Sequence, residues 1–313
     1  MRITSQMTVD NAIQHISDSL EKMDKLNSQI ATGKQFQNAS EDPVNASLSL
    51  SLKSNLRTIN SFVDTAAVTG DWMNATDYAM QNLGDLATRA NSLILRGLNE
   101  TMSGKDRATT LGAEMKDLAN QAIDLGNTQS NGQYIFAGFQ VNTKPFVIEN
   151  DNTLPVYNDY LGNSNLIPQK VTYNGDTGSM QRSLGPDQAV TLNIRGDQAI
   201  QQFIQNLVKA SEAMTQNPYD SASLQTAMAG LQSSISVLDQ NRTSNGTRMR
   251  QVETSAAYLE QVKTETKSLL SKKEDANVAE AIALLSNQKT TYQAVLEVSQ
   301  RAISSVNLFD YLK

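Results

Sequence analysis

The sequence predicts a mainly α protein with a small inserted β domain, drawn out as an elongated helical rod whose N- and C-terminal helices pair. Three observations predict it. Apolar residues recur at three- and four-residue steps near both chain ends. The same spacing runs for many turns through two internal stretches. Aromatic residues and prolines instead concentrate in one central stretch with strand-like patterning.

The first helix carries Ile13, Ile16, Leu20, Met23, Leu26 and Ile30. Such a stripe lies along one side of a helix and must be covered to be stable. Pro43, after Ser40, Glu41 and Asp42, suits the start of a second helix, predicted over 44–98. Its track is Leu52, Leu56, Ile59, Val63, Ala66, Gly70 and Met73. Gly97 and Gly104 predict a stop, and Asp106 a restart that extends over 106–131.

The texture then changes. Residues 134–173 hold seven of the 17 aromatic residues, and Pro145, Pro155, Pro168 and Pro186 are four of the six prolines. Pro145-Phe146-Val147-Ile148, Lys170-Val171-Thr172-Tyr173 and Ala189-Val190-Thr191-Leu192-Asn193-Ile194 read as strands, with a turn signal at Asn174-Gly175-Asp176. The aromatics of Tyr134-Ile135-Phe136-Ala137-Gly138-Phe139 fit no single helical stripe and read as a hinge and hydrophobic plug into the insert.

Helices resume near Gln198. From Leu224, the positions Met228, Leu231, Ile235, Leu238, Arg242, Asn245, Met249, Val252, Ala256 and Leu259 keep one register. A turn at Arg242, Asn245 and Gly246 is the competing reading. The unbroken register favours one continuous helix, because a loop normally resets the phase. The last helix carries Val278, Ile282, Leu285, Tyr292, Leu296, Ile303 and Val306, with Lys289 and Ser299 in its polar slots. The expected division is 1–40, 41–137, 138–197, 198–275 and 276–313. The first and last parts pair, the second and fourth form a helical body, and the third is the β insert.

Composition narrows the function. The formal net charge is −6, which disfavours a nucleic-acid partner. The acid excess sits in the body: residues 1–37 hold four bases and four acids, and residues 280–313 three of each. Neutral ends can pack against copies of themselves without repulsion. There is no cysteine, hence no disulfide or thiolate metal site. The longest apolar run, 281–285, is far short of the ~20 residues of a membrane span, so no membrane insertion is expected. The start Met1-Arg2-Ile3-Thr4-Ser5-Gln6 lacks the apolar core of a secretory signal, so export would take another route.

A search for chemistry finds little. His15 is the single histidine, without an indicated nucleophile or orienting partner. Around Gly104-Lys105 the phosphate-loop pattern fails, since Asn99 stands where glycine is needed and Asp106 follows the lysine. Glu149-Asn150-Asp151-Asn152 lacks the glycine and closing glutamate of a calcium loop. Arg248 and Arg250 read as a charged helix face. The expectation is an assembly protein, not an enzyme, without cofactor or metal.

Three segments carry a resemblance. Gln29-Ile30-Ala31-Thr32-Gly33-Lys34 with Ala39-Ser40-Glu41-Asp42-Pro43 comes first. Asn131-Gly132-Gln133-Tyr134-Ile135-Phe136-Ala137-Gly138 is second. The third is Ala279-Glu280-Ala281-Ile282, continuing through Gln288 and Tyr292 to Leu308-Phe309-Asp310-Tyr311-Leu312. In this order they resemble the flagellin-like axial proteins of bacterial flagella, across nearly the whole chain. The resemblance implies a structural subunit at the hook–filament junction, with 1–40 and 276–313 lining a tube. It implies hook-associated protein 1 and flagellin as neighbours, and copies of the chain in a ring. An export chaperone would hold the C-terminal region before passage through the flagellar export apparatus, giving an extracellular product. Flagellin itself is the near alternative. A soluble coiled-coil signalling or scaffold protein would share the heptads but has no reason to carry an aromatic β insert.

The expected assembly interface is Ile13, Ile16, Leu20, Met23, Ile30, Ile282, Leu285, Tyr292, Leu296, Ile303, Val306 and Leu308. A lone terminal helix cannot bury enough apolar area to offset an ordering entropy of about 1–2 kcal/mol per residue. Such ends are expected to order on assembly, and unlike contacting surfaces generate helical tubes rather than closed dimers.

Overall fold

Helix starts and stops in this chain are set by specific side-chain contacts. The computed structural model describes the backbone of residues 2–99 and 101–310, and side chains over 7–301 except at 8 and 100. The chain divides into two units, residues 1–60 with 261–313, and residues 61–260.

The first unit holds α1 (Arg2–Thr32), the opening turns of α2 (Pro43–Gly97), the end of α7 (Ser221–Glu274) and α8 (Val278–Asp310). Pro43 opens α2 without wasting a donor, and the Asp42 carboxylate accepts the Asn45 backbone N–H at 3.0 Å. This bond holds the Asp42 carboxyl below its ordinary range.

In the second unit, α2 continues to Gly97 as predicted. It ends on Arg107, a residue to which the sequence reading gave no role. The buried guanidinium donates to the carbonyls of Gly97 (2.9 Å), Asn99 (3.3 Å) and Met102 (3.2 Å). It also stacks 3.6 Å from the centre of the Tyr219 ring. Carbonyls freed at a helix end thus gain partners without water.

The helix expected over 106–131 is broken up and shorter. α3 (Gly104–Asp106), capped by Ser103, runs into a π-helical stretch, Arg107–Gly112, and then α4 (Ala113–Gly126). The helix stops at Gly126 for a tertiary reason. A Cβ there would lie 2.7 Å from the Phe146 ring. Asn127 then bonds the backbone of Phe146 on both sides, accepting its N–H at 2.9 Å and donating to its carbonyl at 3.0 Å.

Short strands follow: β1 (Gln129–Ser130), β2 (Gln133–Tyr134), β3 (Phe146–Asn150), β4 (Asn158–Asp159), β5 (Gln169–Tyr173), β6 (Gln181–Gly185) and β7 (Gln188–Thr191). They form antiparallel pairs, β1 with β2, β3 with β5, and β6 with β7. β4 pairs with β8 (Gln216–Asn217), which lies beyond α5 (Gly196–Ala199) and α6 (Gln201–Thr215). Two-stranded ribbons are marginal alone. Here β5 hangs on α6, where Gln205 accepts the Val171 N–H at 2.7 Å and Gln201 donates to the Val171 carbonyl at 3.0 Å. The buried Phe146, Val171, Leu192 and Ile194 share one core with Leu83, Ile94, Met115, Phe203 and Leu207 of the helices.

Ile135 and Phe136 are fully buried in that core, while Phe139 is exposed. β6 is the longest of the strands that the sequence reading missed, the others being the two-residue β1, β2, β4 and β8. Gln181-Arg182-Ser183 is polar and exposed, and only Leu184 and Gly185 turn inward. Leu184 and Val190 meet Ala66, Met73 and Val252 in a second, smaller cluster. α7 passes through Arg242, Asn245 and Gly246 without a break, as the register argued.

Candidate assembly interface

Within the first unit, α1 and α8 pack along each other. They run antiparallel. Lys34, after α1, bridges to Asp275, before α8, while Asn11 and Ala12 share a groove with Val298 and Ser299. The residues withdrawn from solvent mark the seam. On α1 they are Val9, Ala12, Ile16, Ser19, Met23, Leu26 and Ile30, with Ser28 and Gln29 also half-buried at the end beside the 33–35 turn. On α8 they are Ala281, Leu285, Gln288, Tyr292, Val295 and Ser299. Both sets step by alternating threes and fours, the spacing of a paired-helix seam. Ser19 and Ser299 are buried, small enough to let the helices approach.

The expected interface residues divide between two positions. Ile16, Met23, Ile30, Leu285 and Tyr292 are half-buried in the seam. Ile13, Leu20, Ile282 and Leu296 each follow a seam residue by one position and stay exposed, at 59%, 47%, 53% and 39%. They form an uncovered apolar flank. Ile303, Val306 and Leu308 lie outside the described side chains. Sequence reading missed Ala12, Ser19, Ala281, Gln288 and Val295. Their signal was a second 4-3 track, offset by one residue and diluted by small and polar side chains.

The opposite flank has another shape. His15, Thr291 and Val298 each precede a seam residue, and with Asn11, Ala12, Ala294, Val295 and Ser299 they line a groove of about 360 Å³. Val298 and, about four turns earlier on α8, Leu284 are exposed on this side. The helix pair therefore presents an apolar ridge on one flank and an apolar groove on the other.

A polar clip fixes the open end of the pair. Gly33 takes a positive φ of 67°, a conformation glycine adopts at little cost. Its carbonyl accepts the Ala276 N–H at 2.8 Å, and Gln35 N–H donates to the Glu274 carbonyl at 2.7 Å. Lys34 Nζ lies 2.7 Å from Asp275 Oδ1 and 3.5 Å from Glu274 Oε1. Lys53 Nζ reaches Glu274 Oε1 at 2.7 Å. The hydrogen bond to Asp275 raises the Lys34 pKa, and the same bond, with one from Ser271, lowers that of Asp275. Glu274 is mostly buried, and its Oε2 has no partner. Among the described residues, no cluster of His, Asp and Glu could hold a metal ion.

Residues 3–141 match the bacterial flagellin N-terminal helical region. Flagellar hook-associated protein 3 of Escherichia coli K12 is 24% identical over 236 residues, which span 75% of this chain and 68% of that protein. Its Salmonella typhimurium counterpart is 29% identical over 147 residues, 47% of this chain and 46% of that protein. Two solved structures share the fold. FlgL of Bacillus cereus aligns with a TM-score of 0.54 at 22% identity, covering 71% of this chain and 99% of that one. A flagellar hook-associated protein of Vibrio parahaemolyticus aligns with a TM-score of 0.63 at 12% identity, covering 75% and 100%. Over residues 3–141 the chain resembles the bacterial flagellin N-terminal helical region, and over three quarters of its length it resembles flagellar hook-associated protein 3.

Proposed function

We propose that this chain is a structural subunit of the hook–filament junction, joining the hook to the flagellin filament through its terminal helices. The observation that carries this reading is the half-satisfied state of the terminal pair. α1 and α8 cover each other along one seam, yet leave Ile13, Leu20, Ile282 and Leu296 exposed on a segment of balanced charge. An apolar flank of this kind is stabilised by burial against neighbours, at about 25 cal/mol per Å² removed from water. Ile16, Met23, Ile30, Leu285 and Tyr292 hold the pair together, and Ile303, Val306 and Leu308 extend the contacting surface. In this reading 1–40 and 276–313 line the tube, 41–137 and 198–275 form the helical body, and 138–197 is the outer insert.

The neighbours are hook-associated protein 1 toward the hook, flagellin toward the filament, and further copies in a ring. An export chaperone shields the C-terminal region before the chain leaves through the flagellar export apparatus. No catalytic step is assigned. Deleting the gene tests the reading: hooks remain, filaments fail to attach, and flagellin monomers collect in the medium. Normal filaments in the deletion strain would refute the role. The flagellin alternative, favoured by the match at residues 3–141, requires instead that this chain form the bulk of sheared filaments.

A further inference from the structure

The two longest helices of the second unit each carry a mid-course glycine, Gly70 in α2 and Gly246 in α7. A Cβ at either would meet no heavy atom within 4 Å. Both residues are helical, so neither a close approach nor a left-handed turn calls for glycine. A glycine inside a helix is less favourable than an alanine there, because it fixes a freer backbone.

The register of the pair brings the two together. Asn245 Nδ2 donates to the Met73 carbonyl at 2.9 Å, Arg242 Nε donates to Asp77 Oδ1 at 3.0 Å, and Val252 clusters with Ala66 and Met73. Along these antiparallel helices Gly70 and Gly246 therefore fall within about one turn of each other.

A buried polar side chain reaches across at the same level. Asn245 is fully buried, yet its Oδ1 has no partner, and neither has the buried Nε1 of Trp72. The Asn245 amide engages a carbonyl inside the hydrogen-bond ladder of α2. Thr69 and Thr76 donate back to the carbonyls of Thr65 (2.7 Å) and Trp72 (2.9 Å). Thr243 and Thr247 do the same to Asp239 (2.8 Å) and Thr243 (3.1 Å). Such back-bonding recurs along both helices, as at Thr88, Thr226 and Ser234. What sets this level apart is the paired glycines and the Asn245 side chain inserted into the ladder, a known cause of helix bending. Farther along, fully buried Met80, Leu83, Ala90 and Ile94 share an apolar core with Leu224, Leu231 and Leu238.

We propose that the level of Gly70 and Gly246 is a built-in bending point of the α2–α7 pair. Both helices flex there while the apolar contacts beyond it stay closed. This holds whichever flagellar position the chain occupies.

Hydrogen exchange of the full chain, read by mass spectrometry, tests it. In the wild type, peptides covering 67–77 and 241–250 exchange faster than those covering 80–94 and 224–238. The double variant Gly70→Ala/Gly246→Ala slows exchange at that level by about fivefold or more. Gly84→Ala, another open glycine of α2, leaves the level unchanged. Three results would overturn the proposal: uniform wild-type exchange along the pair, a double variant with wild-type rates, or equal slowing by Gly84→Ala. The wild-type comparison stands by itself should the double variant lose helix in a circular-dichroism check.

Discussion

Lys34 Nζ lies 2.7 Å from Asp275 Oδ1, an ion pair between the turn that follows α1 and the turn that precedes α8. Both side chains are more than a third exposed, so the pair contributes only about 0–1 kcal/mol. The Asp275 pKa is lowered, so its contribution is present above the ordinary carboxylate pKa and is lost as pH falls through its folded value. The Lys34 pKa is raised, so its contribution is present below the ordinary lysine value and is lost as pH rises through the folded value. Glu274 raises the stakes, since Lys34 and Lys53 share its buried carboxylate. Lys34→Ala and Lys53→Ala are each expected to cost less than about 1 kcal/mol. The double variant leaves Glu274 without a cation and is expected to cost about 3 kcal/mol. A double-mutant cycle by urea unfolding checks this, and additive losses would contradict it.

Leu285 and Leu296 separate pairing from assembly. Leu285 belongs to the seam, and Leu296 to the exposed flank. Leu285→Asp is expected to open the α1–α8 pair, seen as faster proteolysis of both ends. Leu296→Asp is expected to leave the monomer's proteolysis and melting unchanged but to block incorporation into flagella. Incorporation of Leu296→Asp at wild-type efficiency would show that the exposed flank contacts nothing.

Arg107 closes the end of α2 by donating to three carbonyls. Arg107→Met removes all three bonds. Gly97 keeps the Tyr219 hydroxyl at 3.1 Å and Asn99 the Met102 N–H at 3.3 Å, so the Met102 carbonyl loses its donor, at an expected total cost of about 2 kcal/mol. Arg107→Lys restores the charge but not the planar fork, so it recovers only part of the loss. The melting temperatures should rank wild type, Lys, then Met.

Glu212 makes the second unit sensitive to pH. Burial pushes its carboxyl up to about 7, against the bond it accepts from the Gln169 N–H at 2.6 Å. Lys209 lowers it and Asp151 raises it further. A raised carboxyl pKa means stability that is fully present below the unfolded value, about 4.3, and is lost as pH rises through the folded value. Allowing for partial exposure, the loss between pH 5 and pH 8 is on the order of 1–2 kcal/mol. Trp72 fluorescence during urea unfolding reads it. Glu212→Gln, which keeps an acceptor for Gln169, should be more stable than wild type at pH 8 and flatter with pH.

The sequence determined which stretches are helical and roughly where they begin, because heptad spacing, Pro43 and the unbroken track through Asn245 are local signals. It also marked the terminal helices as needing partners. It did not determine which side of each stripe faces inward. An apolar stripe on α8 wide enough to hold both Ile282 and Leu285 supports two 4-3 tracks one residue apart. Only the approach of α1 selects Ala281, Leu285, Gln288, Tyr292, Val295 and Ser299. The stop at Gly126, the polar strand β6 and the role of Arg107 were likewise decided by tertiary structure. Each depends on a residue distant in sequence: Phe146, Met73 or Tyr219. Periodicity reports how a segment sits on its own axis, whereas the covered face depends on the free energy of contact with a partner that the segment does not encode.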